Sequence, residues 1–419
     1  MTTDPLDRSI TAWEAEASAL DASDPIGAYR ELFVGSDSSV VYFDGNSLGR
    51  PPRASLDRLD AFVREEWGGR LIRGWDESWM QLPFTIGDAI GRAAIGAAAG
   101  QTVVGDSTTV LLYKAVRAAF DAQQAADPAR VEIVVDRDNF PTDRYIVDGI
   151  ARERGGRVRW IDVDTTAGVD GAGLRAAVGP ETAVVLLSHV AYRSGYLADA
   201  ASLTAIAHDA GALIVWDLCH SAGSVPVQAD EWAFDVAVGC TYKYLNGGPG
   251  SPAFLYVAQR LQGRLTQPIQ GWMGAADVFA MGPDYRAAEG MRRFVSGTPP
   301  ITGMLAMQDT IGMIEKVGIE AVRVKSVALT EFAVRIADAE LGPLGVTVAS
   351  PRDPAERGGH VTLSHPAMRE VTAALWAQDV IPDYRDPDGL RIGLAPLSTS
   401  FAETARGMAR VADAVRAVR

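Results

Sequence analysis

Cysteine is nearly absent from this chain, with two in 419 residues, Cys219 and Cys240. That excludes a disulfide scaffold, leaves no metal site to expect, and points to a reducing, cytoplasmic compartment. Long apolar runs are missing as well, since none approaches the roughly 18 residues that a membrane helix needs. Positive charge is in deficit: 39 Lys and Arg stand against 53 Asp and Glu, a formal charge of -14. Sequence-independent binding to nucleic acid or to an anionic membrane relies on a positive surface field, so neither is an expected partner. Residues 1–20 are acidic and lack a basic segment followed by an apolar one, so they do not read as a secretory signal. No internal repeat or low-complexity linker interrupts the chain. What it has in quantity is apolar surface, 47% hydrophobic residues against 22% charged. At roughly 150 residues per domain this length supports two or three domains and a closed active site, which suits an enzyme with a small-molecule substrate.

From about residue 80 to 260, short β-branched runs alternate with stretches of helical period, the pattern of an α/β fold with a parallel sheet and crossover helices. Near-continuous apolar runs at 131–135, 158–163, 183–187, 212–216 and 235–238 read as strands covered on both faces. Residues 201–210 form a helix with Leu203, Ile206 and Ala207 on one face, ending at Gly211. Beyond about 305 the pattern predicts one long helix over 304–339, then strands at 346–349 and 360–363. This gives a large domain over 41–305 and a smaller α/β domain over 306–419. Residues 1–40 precede them as a helical segment, with its helix at 9–20, packed on the small domain.

Two segments carry most of the chemical information. Asp217 stands in Val215-Trp216-Asp217-Leu218-Cys219-His220, at the carboxyl end of a buried strand, where open α/β sheets place their ligands. Lys243 stands in Thr241-Tyr242-Lys243-Tyr244-Leu245-Asn246-Gly247-Gly248-Pro249-Gly250, after the next apolar strand and before a glycine-rich turn. Alone, a strand-end Asp is an ordinary cap or turn former, and a lone Lys is a solvated charge. Together they suit pyridoxal phosphate, which needs an acid near its pyridine nitrogen and a Lys for its aldehyde. Its phosphate needs an anion site, and Thr108 and Thr109 open a helix after Gly105-Asp106-Ser107, where unsatisfied N–H groups are available. By itself that segment is better explained as an ordinary Ser or Asp N-cap. Phe140, in Asp138-Asn139-Phe140-Pro141-Thr142-Asp143, is placed either to lie flat on an aromatic cofactor or to sit in the core.

With these motifs the chain resembles kynureninase, a fold type I pyridoxal-phosphate enzyme of the class V aminotransferase group. The resemblance runs over nearly the whole length. It also takes in Phe43-Asp44-Gly45-Asn46-Ser47-Leu48-Gly49, Gly271-Trp272, Arg292-Arg293-Phe294, Gly297-Thr298-Pro299-Pro300, and Leu390-Arg391 leading to Pro396-Leu397. It implies a large domain with a mainly parallel seven-stranded sheet and a smaller C-terminal α/β domain. It also implies that Lys243 forms the Schiff base with the cofactor, that Asp217 pairs with the pyridine nitrogen, and that Phe140 stacks on the ring. Thr108, Thr109 and Tyr242 would hold the phosphate, while Pro141, Thr142, Asp143, Ser188 and His220 would complete the cofactor site. Trp272 and Thr298 would reach it from the second subunit of a homodimer with shared active sites. Arg391 would grip the substrate carboxylate, with Asn46, Ser47 and Trp75 also at the substrate. Catalysis would fall to Lys243, Tyr242 and Asp217.

The implied reaction is hydrolysis of L-kynurenine, and of 3-hydroxykynurenine, at the Cβ–Cγ bond to the anthranilate and L-alanine, in the kynurenine pathway of tryptophan catabolism. The chain departs from the family pattern around the substrate. Ala275 stands where the family commonly has His, Ser398 where it has Tyr, and Leu111 where it has Asn after the phosphate threonines. These departures keep open a hydrolase acting on a different β-acyl amino acid. A further alternative is another class V lyase, such as a cysteine desulfurase, which needs a nucleophilic Cys on a mobile loop; neither Cys219 nor Cys240 is well placed for that.

Overall fold

In the computed structural model, which describes residues 5–418, the apolar runs in the middle of the chain pair into one seven-stranded sheet. After a two-residue strand β1 (Val41–Tyr42) come β2 (Thr102–Val104), β3 (Glu132–Asp136), β4 (Arg157–Ile161), β5 (Thr182–Ser188), β6 (Leu213–Asp217), β7 (Val236–Gly239) and β8 (Phe254–Val257). Their spatial order is β2-β8-β7-β6-β5-β3-β4. β4, β3, β5, β6 and β7 run parallel, whereas β8 is antiparallel to both β7 and β2. Side chains alternate between faces: Val134, Val185, Ile214 and Ala237 enter one apolar cluster, and Val135, Val184, Val215 and Val236 enter the other. Helices cover both clusters, which is why these strands read as unbroken apolar runs. The helix expected over 201–210 runs Ala200–Asp209, is capped by Asp199, and stops before Gly211, whose φ of 72° no helix continues.

A second sheet has the order β12-β13-β10-β9, from β9 (Thr347–Val348), β10 (His360–Ser364), β12 (Asp383–Arg385) and β13 (Gly389–Gly393), all antiparallel. Between them β11 (Val380–Ile381) pairs in parallel with β1, so the start of the chain is tied to its end. One apolar cluster joins Ala17, Val41 and Phe43 to Phe332, Ile392, Met408 and Val415. The N-terminal helix is longer than expected, Pro5–Ser23 rather than 9–20. Its Trp13 meets Phe332 edge-on at 5.9 Å, and the Asp21 carboxylate accepts from the N–H groups of Phe401 and Ala402, capping helix Phe401–Ala417.

The long helix expected over 304–339 is not continuous. It is divided into Ile301–Met304, Met307–Val317 and Ile319–Ile336, with Gly318 at φ 83° between the last two. The apolar period continues through the break because both pieces are buried, but they face different cores. Met307, Ile311, Ile314 and Val322 pack with the large sheet, and the chain from Leu329 onward packs with the small one.

Candidate active site

The adjacent strands β5, β6 and β7 end at the same edge of the large sheet, where register places Ser188 beside Asp217 and Asp217 beside Val238. A cavity of about 180 Å³ lies at this edge. Its wall includes Lys243, Tyr242, Asp217, His220 and Ser188 from the strand ends. Phe140, Thr142 and Asp143 join it from the start of helix Pro141–Arg154, and Thr108 and Thr109 from the start of helix Thr108–Ala126. Ten residues expected at the cofactor from motif or resemblance therefore converge on one space. Pro141 does not line it; as the first helical residue it orients its neighbours, a position where its missing N–H costs nothing.

Each end of this cavity has its own electrostatics. Ser107 caps helix Thr108–Ala126, its Oγ accepting from Val110 N–H at 3.4 Å, while Thr108 and Thr109 line the cavity. Thr108, Thr109 and Tyr242 also border a neighbouring hollow of about 290 Å³ shared with Gly250 and Ser251, leaving room for an anion at the helix terminus. The adjacent Asp106 does not oppose that anion, because buried Lys114 donates to its Oδ2 at 2.6 Å. At the strand ends the charge is negative. Asp217 Oδ1 accepts from Cys219 N–H at 2.7 Å, and Asp143 is buried with no partner for Oδ2. Burial first, then the charges of Asp217 and Asp136, hold the Asp143 carboxyl well above the ordinary range. Asp136 at the end of β3 is pushed up to about 7, by burial and the neighbouring Asp138 charge. A protonated ring nitrogen beside Asp217 and Asp143 would relieve the effect on Asp143, and an anionic group would meet the helix N-terminus. The cavity thus fits a molecule with a cationic ring at one end and a phosphate at the other.

Lys243 Nζ lies 3.1 Å from His220 Nε2. His220 is buried, and desolvation, then the Lys243 charge, keep its imidazole well below its ordinary value, so it faces Lys243 as a neutral acceptor. Ser188 Oγ donates to Asn139 Oδ1 at 2.9 Å, and the same oxygen accepts from Phe140 N–H at 2.7 Å. Tyr192 meets Phe140 edge-on at 5.4 Å. Asn139 and Tyr192 were not among the expected site residues: Asn139 could have been suspected from its place beside Phe140, but nothing local marks Tyr192.

Arg391, on β13, is 1% exposed and lies just behind the cavity wall. Its Nη1 donates to the Tyr192 carbonyl at 2.8 Å and its Nη2 to Ser47 Oγ at 2.8 Å; Asp383 forms an ion pair with it, and Asp44 Oδ1 stands 3.9 Å away. Asp44 is raised to about 6, chiefly by burial. Asn46 is fully buried against Gly393, where a side chain would collide with its amide, and neither amide atom has a partner. The expected trio Arg391, Asn46 and Ser47 therefore does come together. Trp75 does not join it. It packs at 5.4 Å against Trp79, in a cluster with Phe62 and Ile301. Trp272 and Thr298 also lie off their own chain's cavity, Trp272 at 42% exposure near Phe279 and Thr298 in the turn after Phe294. Cys219 reaches the cavity wall but is 8% exposed, and Cys240 is 2% exposed, its N–H donating to Cys219 Sγ at 3.2 Å. Both belong to the strand ends rather than to an exposed loop.

Solved structures share this architecture. A C-DES variant with glycine covalently linked to the PLP cofactor superposes with a TM-score of 0.81 at 21% identity, over 92% of this chain and 99% of that one. The cysteine desulfurase from Thermococcus onnurineus NA1 gives 0.78 at 20% identity, over 93% and 98%. At such identities the likeness establishes the fold, a fold type I α/β architecture. The family description "Kynureninase C-terminal domain" matches residues 322–411, and "DegT/DnrJ/EryC1/StrS aminotransferase family" matches residues 123–229. Kynureninase from Pseudomonas fluorescens is 41% identical over 388 residues, covering 92% of this chain and 91% of the relative. Kynureninase from Burkholderia pseudomallei (strain 1106a) is 42% identical over 391 residues, covering 93% and 92%. Identity at this level over nearly the full length of both chains, with the motifs assembled around one cavity, leads to one conclusion: the chain belongs to the kynureninase family.

Proposed function

We propose that this protein hydrolyses L-kynurenine, and 3-hydroxykynurenine, at the Cβ–Cγ bond to anthranilate (3-hydroxyanthranilate) and L-alanine, with pyridoxal 5'-phosphate in the Lys243 cavity. The observation that carries the reading is the convergence of Lys243, Asp217 and the helix terminus at Thr108 on one space, in a chain of this family. When bound, pyridoxal phosphate supplies an electron sink for the carbon centres next to the substrate nitrogen. Lys243 holds the cofactor aldehyde and afterwards carries the α-proton on Nζ. The neutral His220 at 3.1 Å keeps that amine oriented. Asp217 would face the ring nitrogen and keep its proton in place. Tyr242 stays protonated, because the Cys240 sulfur beside it and then burial push its hydroxyl well above the ordinary phenol value. It can therefore donate a proton to the hydrated carbonyl or the departing carbon. Arg391 receives the α-carboxylate, which fixes the bond to be broken relative to Lys243.

The active form in this reading is a cytoplasmic homodimer in which Trp272 and Thr298 complete the partner's site; both lie off their own chain's cavity, and Trp272 is exposed. Among the described residues no helix is long and apolar enough to cross a membrane. The two-core packing supports a large cofactor-holding domain and a small C-terminal one. A different β-acyl amino acid is the second reading, favoured by Ala275 and Ser398, which stand where the family commonly has His and Tyr. The deciding assay follows aminobenzoate fluorescence after adding kynurenine or 3-hydroxykynurenine to the cofactor-loaded protein. Release of product from either supports the proposal; no product from both overturns it.

A further inference from the structure

The Nη2 of Arg391 is engaged before any substrate arrives. A guanidinium has five N–H donors, and a carboxylate is gripped by two that are parallel and adjacent, either Nε with Nη2 or Nη1 with Nη2. Both forks therefore use Nη2. Here the two N–H groups of Nη2 serve Ser47 Oγ, at 2.8 Å, and Asp383 Oδ2. Nη1 serves the Tyr192 carbonyl, while Nε is buried without an acceptor. A two-pronged carboxylate cannot be added to this arrangement until Nη2 is released.

Asp383 is the partner able to leave. It faces Arg391 as its cross-strand neighbour, but on β12, the edge strand of its sheet. Arg385, two residues along the same strand and hence on the same face, already donates from Nε to Asp383 Oδ2 at 2.7 Å. The guanidinium of Arg385 lies 5.9 Å from the Tyr192 ring, so a carboxylate moving from Arg391 to Arg385 stays within the same charged cluster. Ser47, by contrast, is fixed by its backbone N–H to the Asp44 carbonyl.

We propose that Asp383 is a resident carboxylate that holds Arg391 until the substrate's α-carboxylate replaces it, Asp383 passing to Arg385, so that this exchange sets the affinity of the site for α-carboxylates. The inference rests on the reading that Arg391 receives that carboxylate. Calorimetric titration of the cofactor-loaded protein with L-alanine tests it. Asp383→Asn should bind L-alanine about fivefold tighter, because an internal competitor has gone, and lower KM for kynurenine in step. Arg385→Ala, which removes the alternative partner, should bind it about threefold more weakly. Binding of the decarboxylated amine of kynurenine should change in neither variant. Thermal melting and the visible cofactor absorbance establish that each variant is folded and loaded. Unchanged or weaker L-alanine binding by Asp383→Asn, or by Asp383→Ser if the Asn variant does not fold, overturns the exchange. Unchanged binding by Arg391→Lys instead overturns the carboxylate assignment, and the inference with it.

Discussion

The cofactor end of the site draws Ser188, Asp217 and Lys243 from the ends of consecutive strands of one sheet, whereas the substrate end joins Ser47, Tyr192, Asp383 and Arg391 from segments up to 344 residues apart. At the first, parallel register sets Ser188 beside Asp217, and Lys243 follows in the turn just after β7. At the second, nothing local holds the groups together; they meet because β1 pairs with β11 and the second sheet docks against the loop after β5. The two ends also carry their charge differently. Asp143 at the cofactor end is buried with Oδ2 unpartnered, as a cation would suit, while at the substrate end the Arg391 charge is already countered by Asp383. The difference teaches that a chemical group can be placed by register, but a recognition group needs a counter-charge that holds it until the ligand comes.

The sharpest way to break this comparison is Lys243→Ala. It should remove the visible cofactor absorbance and lower kcat on the order of 10⁴-fold; a borohydride-reducible adduct surviving in the variant would show that another amine holds the cofactor. Arg391→Lys should act on the other end alone, leaving the absorbance in place while kcat/KM falls roughly a hundredfold. Loss of cofactor from that variant would mean the ends are not separable. A smaller effect belongs to Asp136. Its carboxyl is raised to about 7, above the ordinary 3.8, so the folded chain holds this proton more tightly than the unfolded chain. That contribution to stability is lost as pH rises between these values. Asp136→Asn should therefore melt later than the parent at pH 7.5, by about 1–2 kcal/mol, and alike at pH 4; equal melting at both would mean that Asp136 carries no such burden. The smallest effect concerns the ring hydroxyl. Ala275 and Ser398 stand where the family commonly has larger polar residues and leave no obvious partner for it, so kynurenine should be used at least as well as 3-hydroxykynurenine. A preference of more than about a hundredfold for the hydroxylated substrate would contradict an apolar pocket.

Much of the cofactor end was legible in the residue string. Strands β3 to β7 fall within a few residues of their apolar runs, and Lys243 and Asp217 stand where such strands end. The long C-terminal helix was misread because an apolar period does not record which core each turn faces, and Gly318 inside it looks like a tolerated glycine until its φ of 83° is seen. Trp75 was expected at the substrate and instead meets Trp79 edge-on, at a spacing where side chains on one helical segment are neighbours. Tyr192 and Asp383 carry no local signal at all. Tyr192 matters through a backbone carbonyl, and Asp383 through a cross-strand partner eight positions on.

By itself, then, the sequence determined the alternating α/β order, the reduced cysteines, the negative charge and the Asp217–Lys243 pair, because each depends on neighbours within a few residues or on composition. Only the tertiary structure decided that Asp143 would be buried between Asp217 and Asp136, that His220 would face Lys243 as a neutral acceptor, and that Arg391 would be held by Asp383 and Ser47. Those depend on desolvation and on charges brought together through space, and both exist only once distant segments have excluded water from between them.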